Sequence, residues 1–511
     1  MPESDRLVWD DADPRARVGF VAGVATAALI IAVSLAALIG PDVPRLSDTT
    51  SGDPELIESV ETLLADRALG HDAVAVAVID GDGVRFAGFG EEVDGGAVAE
   101  STAFEIGSVT KPLTGMLLAD LIDDGEVDPD STLGEVAAPL LTIDGGGADA
   151  TLEQLASHRS GYPRLPWSNI PRAVLSSFTG GDPYSGSAQD VLNASANTDS
   201  EPSEFSYSNL GMAALGDGLA AHQRTTYADL LRRRLLDPIG MDATVAAEST
   251  GTLPANRVSG GTAAGRDTDE WLAPGWQPAG IGTWSTTGDL ARLAVAIIDG
   301  TAPGMAALEP RFSSGDDQRI GYGWMIATTD DGVELTTHNG GTGGFRSWFG
   351  VDRSSRRAVV VLSDTTMSVG DLGEALLVDG VDAAVGSNPL PAESAGLQGW
   401  GLAALLIAGT LGPLVAVVRA AVKRRGDRHG LVRNVVNAVA TMFLFTVLMP
   451  WHLLPGLIWI VAVALVLVTA AMAVPSWSRV PSIDSERPTL RWVGTGATVA
   501  VGVAAIALVS I

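Results

Sequence analysis

The sequence lacks cysteine entirely and has almost no lysine. The absence of cysteine among 511 residues excludes disulfide bonds, thiolate metal sites and a cysteine nucleophile. Six histidines are scattered without the spacing of metal ligands, so we predict that the protein holds no metal. The chain has two lysines, Lys111 and Lys423, and its other basic side chains are arginines. Because arginine keeps its proton in proteins, this bias suggests that Lys111 serves as an amine that can lose its proton.

Positive charge is scarce as well. The net charge is −29, and residues 41–397 carry 53 acidic side chains against 20 basic ones. Such a surface repels nucleic acid and anionic lipid, so we predict no nucleic-acid partner. The acidic, lysine-poor composition resembles that of proteins from salt-loving archaea, in which high salt screens self-repulsion. An ordinary acidic protein from a high-GC bacterium is the alternative.

Long apolar runs predict five transmembrane helices, each long enough to cross a bilayer. The first occupies residues 18–40, and the others lie at about 399–418, 433–451, 456–474 and 492–511. A cleaved signal peptide is the alternative for the first run, although its apolar core would normally be shorter.

The basic loops predict the topology of these helices. Basic residues cluster at 419–428 and recur in 475–491, and short basic loops stay in the cytoplasm. The large segment between the first and second helices therefore faces the exterior of the cell membrane. The predicted domains are a cytoplasmic tail, an anchor helix, a linker, an exterior domain and a four-helix membrane region (1–17, 18–40, 41–55, 56–390 and 398–511).

A Ser-x-x-Lys motif opens the most informative stretch of the chain. Ser108 and Lys111 precede an apolar run that reads as a buried helix, and their spacing places both on one helix face. A desolvated lysine can take the proton of a neighbouring serine hydroxyl and make that oxygen a nucleophile. A capping serine with a surface lysine would give the same short pattern, so the motif needs support from elsewhere.

A second motif is Tyr207-Ser208-Asn209, in a turn before another predicted helix. The two side chains flanking the serine can point the same way. A tyrosine beside a lysine ammonium is expected to have a lowered pKa and to act as a base or as a proton donor. The asparagine amide would hold a substrate carbonyl. A turn with a packed tyrosine is the alternative.

A third motif, His338-Asn339-Gly340-Gly341, lies between predicted strands. Its glycines let the backbone approach a ligand closely, and a backbone N–H there would form an oxyanion pocket with that of Ser108. His338 would supply a positive or hydrogen-bonding group beside the cleft. A glycine-rich hairpin with an incidental histidine would look the same.

Together, the three motifs resemble the serine β-lactamase and penicillin-binding superfamily. The likeness is to the branch that holds class C β-lactamases, D-alanyl-D-alanine carboxypeptidases and related esterases. It extends over roughly residues 51–385 and includes the blocks Thr151-Leu-Glu-Gln-Leu, Leu236-Asp-Pro-Ile-Gly-Met and Gly341-Thr-Gly-Gly-Phe-Arg. The resemblance implies an α+β fold: an antiparallel sheet of about five strands flanked by helices, with an all-helical subdomain. Strands predicted within 73–89 and 320–362 fit it.

The resemblance also implies roles for the motif residues and requires no cofactor. Ser108 would become acylated, Lys111 would accept or relay its proton, and Tyr207 would act as base and help to activate water. The amides of Ser108 and Gly341 would form the oxyanion hole. The substrate would contact Asn209, His338 and Gly340.

The predicted function is that of a membrane-anchored exterior serine hydrolase acting on a small-molecule or peptide ester or amide. His338 stands where class C β-lactamases carry lysine, which favours a peptidase or esterase over a dedicated β-lactamase. The alternative is a sensor or binding protein of the penicillin-binding type that is acylated without turnover. Short cytoplasmic loops, with no domain to receive a signal, weigh against it.

Overall fold

The computed structural model describes most of the chain. The described residues are 14–81, 83–138, 140–141, 145–198, 201–202, 204–315, 317–328, 332–384, 388–391, 396–423 and 428–477. They divide into two compact units, one formed by Pro44–Glu393 and the other by the two chain ends, Met1–Val43 and Ser394–Ile511.

The strands all belong to the first unit. They are β1 (Thr50–Gly52), β2 (Val74–Asp80), β3 (Gly83–Phe89), β4 (Ala103–Glu105), β5 (Val245–Ala246), β6 (Thr283–Thr286), β7 (Phe312–Gly315), β8 (Gln318–Ile320), β9 (Met325–Thr328), β10 (Glu334–Gly341), β11 (Arg346–Asp352) and β12 (Arg357–Ser363).

The helices of both units, in chain order, are α1 (Pro14–Ile39), α2 (Pro54–Leu64), α3 (Thr110–Asp123), α4 (Leu133–Ala137), α5 (Leu152–Ala156), α6 (Ile170–Thr179), α7 (Ala188–Ala196), α8 (Asn209–His222), α9 (Tyr227–Leu231), α10 (Asp237–Ile239), α11 (Thr287–Asp299), α12 (Gly370–Val378), α13 (Val381–Ala384), α14 (Gly396–Lys423), α15 (Arg428–Leu448) and α16 (Gly456–Ser476).

One large antiparallel sheet organises the first unit. Its nine strands follow the order β1-β3-β2-β12-β11-β10-β9-β8-β7. Strand β2 from the start of the unit pairs with β12 from its end, and Val76 lies opposite Val361. A smaller sheet has the order β4-β6-β5. Helices α4–α10 form the helical part between β4 and β5.

Strand β2 shows why the sheet is covered on both faces. Its side chains alternate, so Ala75 and Ala77 join one buried cluster while Val74 and Val76 join another. The alanine face packs in the cluster that includes α3 and α8, and the valine face packs with Leu56 of α2. A strand buried on both faces reads as a continuous apolar run rather than as an alternating one.

The predicted fold class is confirmed, with a larger sheet than expected. Nine strands are present instead of about five because short edge strands such as β1, β7 and β8 extend it. Such strands carry few apolar side chains and therefore give no alternation signal. The predicted linker 41–55 includes β1, which pairs with β3 through Ser51 and Gly88.

In the described part of the second unit, three helical segments are long and apolar enough to cross a membrane. They are Gly396–Ala420, Gly430–Val447 and Leu457–Val474, in agreement with three of the predicted spans. Helix α1 covers the predicted anchor 18–40, and its described apolar part, Ala22–Leu38, is shorter. The predicted span 492–511, residues 1–13 of the tail and most of the 475–491 loop lie outside the described residues.

Candidate active site

Ser108 lies in a tight turn that connects β4 to α3. Residues Gly107–Val109 form a single 3-10 turn, and Gly107 adopts φ +51, a region that favours glycine. A Cβ at this position would also lie 2.7 Å from the backbone nitrogen of Gly341. The turn is fixed to the main sheet by Ser347, whose hydroxyl donates to the Ile106 carbonyl at 2.7 Å. Backbone contact with β10 therefore sets the position of the serine.

Lys111 lies one helical turn beyond Ser108 and is completely buried, with 0% exposure. Its Nζ atom lies 2.7 Å from Ser108 Oγ and 2.7 Å from the carbonyl oxygen of Ala279. Burial, and then the positive charge of Arg164, hold the pKa of Lys111 well below its usual range. The amine is therefore shifted toward its neutral form, which has a lone pair to offer the serine proton.

Tyr207 lies beside both Ser108 and Lys111. Lys111 Nζ stands 5.0 Å from the tyrosine ring centre. The residue as a whole is partly exposed, but burial of its hydroxyl end raises the Tyr207 pKa to about 12, against smaller lowering effects of a hydrogen bond with Ser108 and of Arg164. The expectation of a lowered tyrosine pKa is therefore wrong. A lysine whose pKa is lowered by burial carries less positive charge with which to stabilise a phenolate.

Asn209 begins α8 and is 5% exposed. Its Nδ2 donates to the Tyr184 hydroxyl at 2.8 Å, and its Oδ1 has no hydrogen-bond partner among the described residues. Tyr184 in turn packs against Trp271 and Trp276, with ring centres 5.3 and 4.9 Å away. The aromatic cluster holds the asparagine at the wall of the site.

The end of β10 supplies the third predicted motif. A Cβ at Gly340 would collide with the Ile106 carbonyl oxygen and the Ser347 hydroxyl, and would lie 3.1 Å from the Ser108 nitrogen. Glycine is therefore required for the strand to lie against the serine turn. The structure thus brings Gly340 and Gly341 to the backbone of Ser108, where two N–H groups can face one substrate oxygen.

His338 reaches the same site from β10. Its ring centre lies 6.3 Å from that of Tyr207. Burial, and next the charge of Lys111, lower the pKa of His338 to about 3. The expectation that His338 carries a positive charge is therefore wrong, because a desolvated imidazole beside another basic group stays neutral at ordinary pH. The expected hydrogen-bonding group is present.

Two residues of the site were not selected from the sequence. His158, which follows α5, stacks on Tyr207 with ring centres 4.5 Å apart, and its Nδ1 accepts the Ser208 backbone N–H at 3.2 Å. Arg164 is exposed, and its guanidinium lies 5.8 Å from the Tyr207 ring centre. His158 belongs to the block that begins at Thr151, where the sequence favours a capping or packing role over a catalytic one, and Arg164 lies in a segment rich in proline and serine that carries no motif.

Glu105 is a buried acid three residues before the nucleophile. Its carboxylate accepts the Gly282 N–H at 3.0 Å. Burial raises the pKa of Glu105 from 4.5 to about 8, against the lowering effect of hydrogen bonds from Gly282 and Thr342. Because the folded-state pKa lies above the unfolded one, the stability that this group contributes is complete below pH 4.5 and is lost as the pH rises to about 8.

We therefore expect Glu105→Gln to flatten the pH dependence of stability. Between pH 4.5 and about 8, Glu105 should lower the unfolding free energy of the wild type by about 1.4 kcal/mol for each pH unit. The variant lacks this slope. Chemical denaturation of the full chain in detergent at several pH values measures it. Exposed Glu248→Gln is the control, and parallel curves for wild type and Glu105→Gln would contradict the expectation.

Comparison with known proteins covers the same part of the chain. A model of the family described as β-lactamase matches residues 60–380. D-alanyl-D-alanine-carboxypeptidase/endopeptidase AmpH of Escherichia coli (strain K12) is 29% identical over 199 residues, covering 38% of this chain. The match spans 50% of the length of that relative.

Solved structures share the fold. A D-stereospecific amidohydrolase from Streptomyces sp. has a TM-score of 0.54 at 18% identity, covering 64% of this chain and 99% of that one. A class C β-lactamase from Rhodobacter sphaeroides has a TM-score of 0.53 at 17% identity, covering 66% of this chain and 100% of that one.

Proposed function

The chain belongs to the β-lactamase family, and from that premise we propose that it is a membrane-anchored serine hydrolase forming an acyl-enzyme on Ser108. The observation that carries the proposal is the contact of 2.7 Å between a completely buried lysine amine, that of Lys111, and the serine hydroxyl. A neutral amine at hydrogen-bond distance is what a serine needs to become a nucleophile.

Acylation begins with proton transfer. The Ser108 hydroxyl gives its proton to the Lys111 amine while its oxygen attacks the substrate carbonyl carbon. The negative charge that develops on the carbonyl oxygen is stabilised by the backbone N–H groups of Ser108 and Gly341. The Lys111 ammonium that forms donates a hydrogen bond to the Ala279 carbonyl oxygen, 2.7 Å from Nζ, and is held in place by it.

Tyr207 acts as a proton donor in acylation. With a pKa of about 12 its hydroxyl stays protonated at neutral pH. It can give that proton to the leaving oxygen or nitrogen as the acyl bond breaks, and recover one from the Lys111 ammonium. In deacylation the attacking water gives a proton to Tyr207 while Tyr207 passes its own proton to Lys111. The Lys111 ammonium then gives its proton to the departing Ser108 oxygen, which restores the hydroxyl.

We place the substrates among esters and amides, with peptidase or esterase activity favoured over β-lactam hydrolysis. The neutral His338 offers no charge to a β-lactam carboxylate. The names of the AmpH relative and of the amidohydrolase structure direct the choice toward amides of D-amino acids. The three apolar helices support attachment to a membrane, and the basic loops support an exterior catalytic unit.

Parallel labelling tests the proposal. Full-length protein in detergent is treated with a fluorescent fluorophosphonate and, separately, with a fluorescent penicillin. We expect fluorophosphonate labelling of Ser108, and a burst followed by steady turnover with a chromogenic ester. A stable adduct without turnover would favour the acylated sensor instead. Labelling by neither probe would overturn the enzyme assignment.

A further inference from the structure

The imidazole of His338 is held in one tautomer. Its Nδ1 atom lies 2.7 Å from the carbonyl oxygen of Asn339. A carbonyl oxygen has no hydrogen to donate, so Nδ1 must carry the ring proton. In a neutral imidazole the other nitrogen, Nε2, then has a lone pair and acts only as an acceptor.

This lone pair is buried beside the reacting groups. His338 is 3% exposed, and its Nε2 has no hydrogen-bond partner in the described part of the chain. Positions 338 and 340 are two apart on β10, so both face the side on which Gly340 contacts Ser108. The Tyr207 ring is tilted by 41° to that of His338, with the two ring centres 6.3 Å apart. A buried acceptor without a partner costs stability, so a hydrogen bond donated by the substrate to Nε2 is favoured.

We propose that His338 makes the protein prefer substrates that direct an N–H or O–H group at Nε2 over substrates that place a free carboxylate there. An internal or capped peptide amide is such a substrate. This inference rests on the proposed hydrolase function. An amide hydrogen satisfies the buried lone pair, whereas a carboxylate oxygen would bring two acceptors together without a hydrogen between them.

The cations around the site do not reverse this preference. Lys111 is buried and shifted toward its neutral form. Arg164 is exposed, and its guanidinium lies 5.8 Å from the Tyr207 ring centre. An exposed ion pair is screened by water and contributes little, so Arg164 would not offset a carboxylate placed against the buried His338 nitrogen.

A matched pair of ligands tests the inference: N-acetyl-D-alanyl-D-alanine and its C-terminal amide. Each is used to protect Ser108 of the full-length protein from fluorophosphonate labelling, and each is assayed as a substrate. We expect the amide to protect at a concentration about tenfold lower than the acid, the effect of one hydrogen bond. Substrate kcat/KM should differ in the same direction.

Variants separate a role in selectivity from a structural role. The ratio of the protecting concentrations of acid and amide does not depend on how much of the protein is folded. His338→Lys should reverse the ratio, His338→Gln should keep it through its acceptor oxygen, and Arg164→Ala should leave it within about threefold. Preference of the wild type for the acid, or an unchanged ratio in His338→Lys, would overturn the inference alone. Absence of fluorophosphonate labelling in the wild type would overturn the hydrolase function and the inference together.

Discussion

Replacement of Ser108 by alanine is expected to abolish fluorophosphonate labelling and to lower ester turnover by about 10⁴-fold to 10⁶-fold, as removal of a nucleophile does in serine hydrolases. The change removes the one oxygen that can form the acyl bond. It leaves Gly107 and the contacts of Ile106 in place, so the turn keeps its backbone geometry. The measurement is the steady-state rate with a chromogenic ester, together with gel fluorescence of the labelled protein.

Ser101→Ala is the control for the nucleophile. Ser101 is exposed and precedes β4, outside the site. It should retain wild-type labelling and turnover. The acyl-enzyme mechanism would be wrong if Ser108→Ala retained turnover above a trace, at the same rate as Ser101→Ala.

Lys111 variants should lose activity by about 10³-fold or more, even where positive charge is preserved. In Lys111→Arg the guanidinium cannot give up its proton, so it cannot take one from Ser108. In Lys111→Met the base is absent. Wild-type activity should fall as the pH is lowered through the depressed lysine pKa, because protonation removes the lone pair. Lys423→Arg, at the other lysine of the chain, is the control.

Lys111→Met should gain stability although it loses activity. The folded-state pKa of Lys111 lies below its unfolded value of 10.5. The stability that this amine contributes is therefore present only above that pH and is lost as the pH falls toward the folded value. An apolar side chain removes this cost, so the inactive variant should unfold at a higher temperature than the wild type at neutral pH. A destabilised Lys111→Met protein would argue against a buried neutral amine.

Several elements could be predicted because their signals are local. The β2–β3 hairpin follows from two apolar runs around Asp80-Gly81, and α3 follows from the apolar run after Lys111. The pairing of Ser108 with Lys111 follows from helical spacing alone. The edge strand β1 could not be predicted, since its three polar residues become a strand only by pairing with β3.

The protonation states of the site could not be read in the same way. The lowered tyrosine pKa is an inference from a neighbouring lysine, and the sequence leaves His338 open as a positive or a hydrogen-bonding group. Neither prediction takes burial into account. In the folded chain, desolvation outweighs every charge near Tyr207 and His338. Desolvation depends on how the helical part packs over the sheet, and that packing brings together residues far apart in sequence.

The residue types of the site can be read from the sequence: one serine and one lysine a helical turn apart, a tyrosine, an asparagine, and glycines that admit close backbone contact. Covalent spacing is enough to bring the first two together. Which of these groups carry protons depends on the folded chain, because burial and distant carbonyl groups set it. The Ala279 carbonyl lies far from Lys111 in sequence, and the Asn339 carbonyl fixes the His338 tautomer. Burial lowers the pKa of both basic groups and so shifts each toward its neutral form.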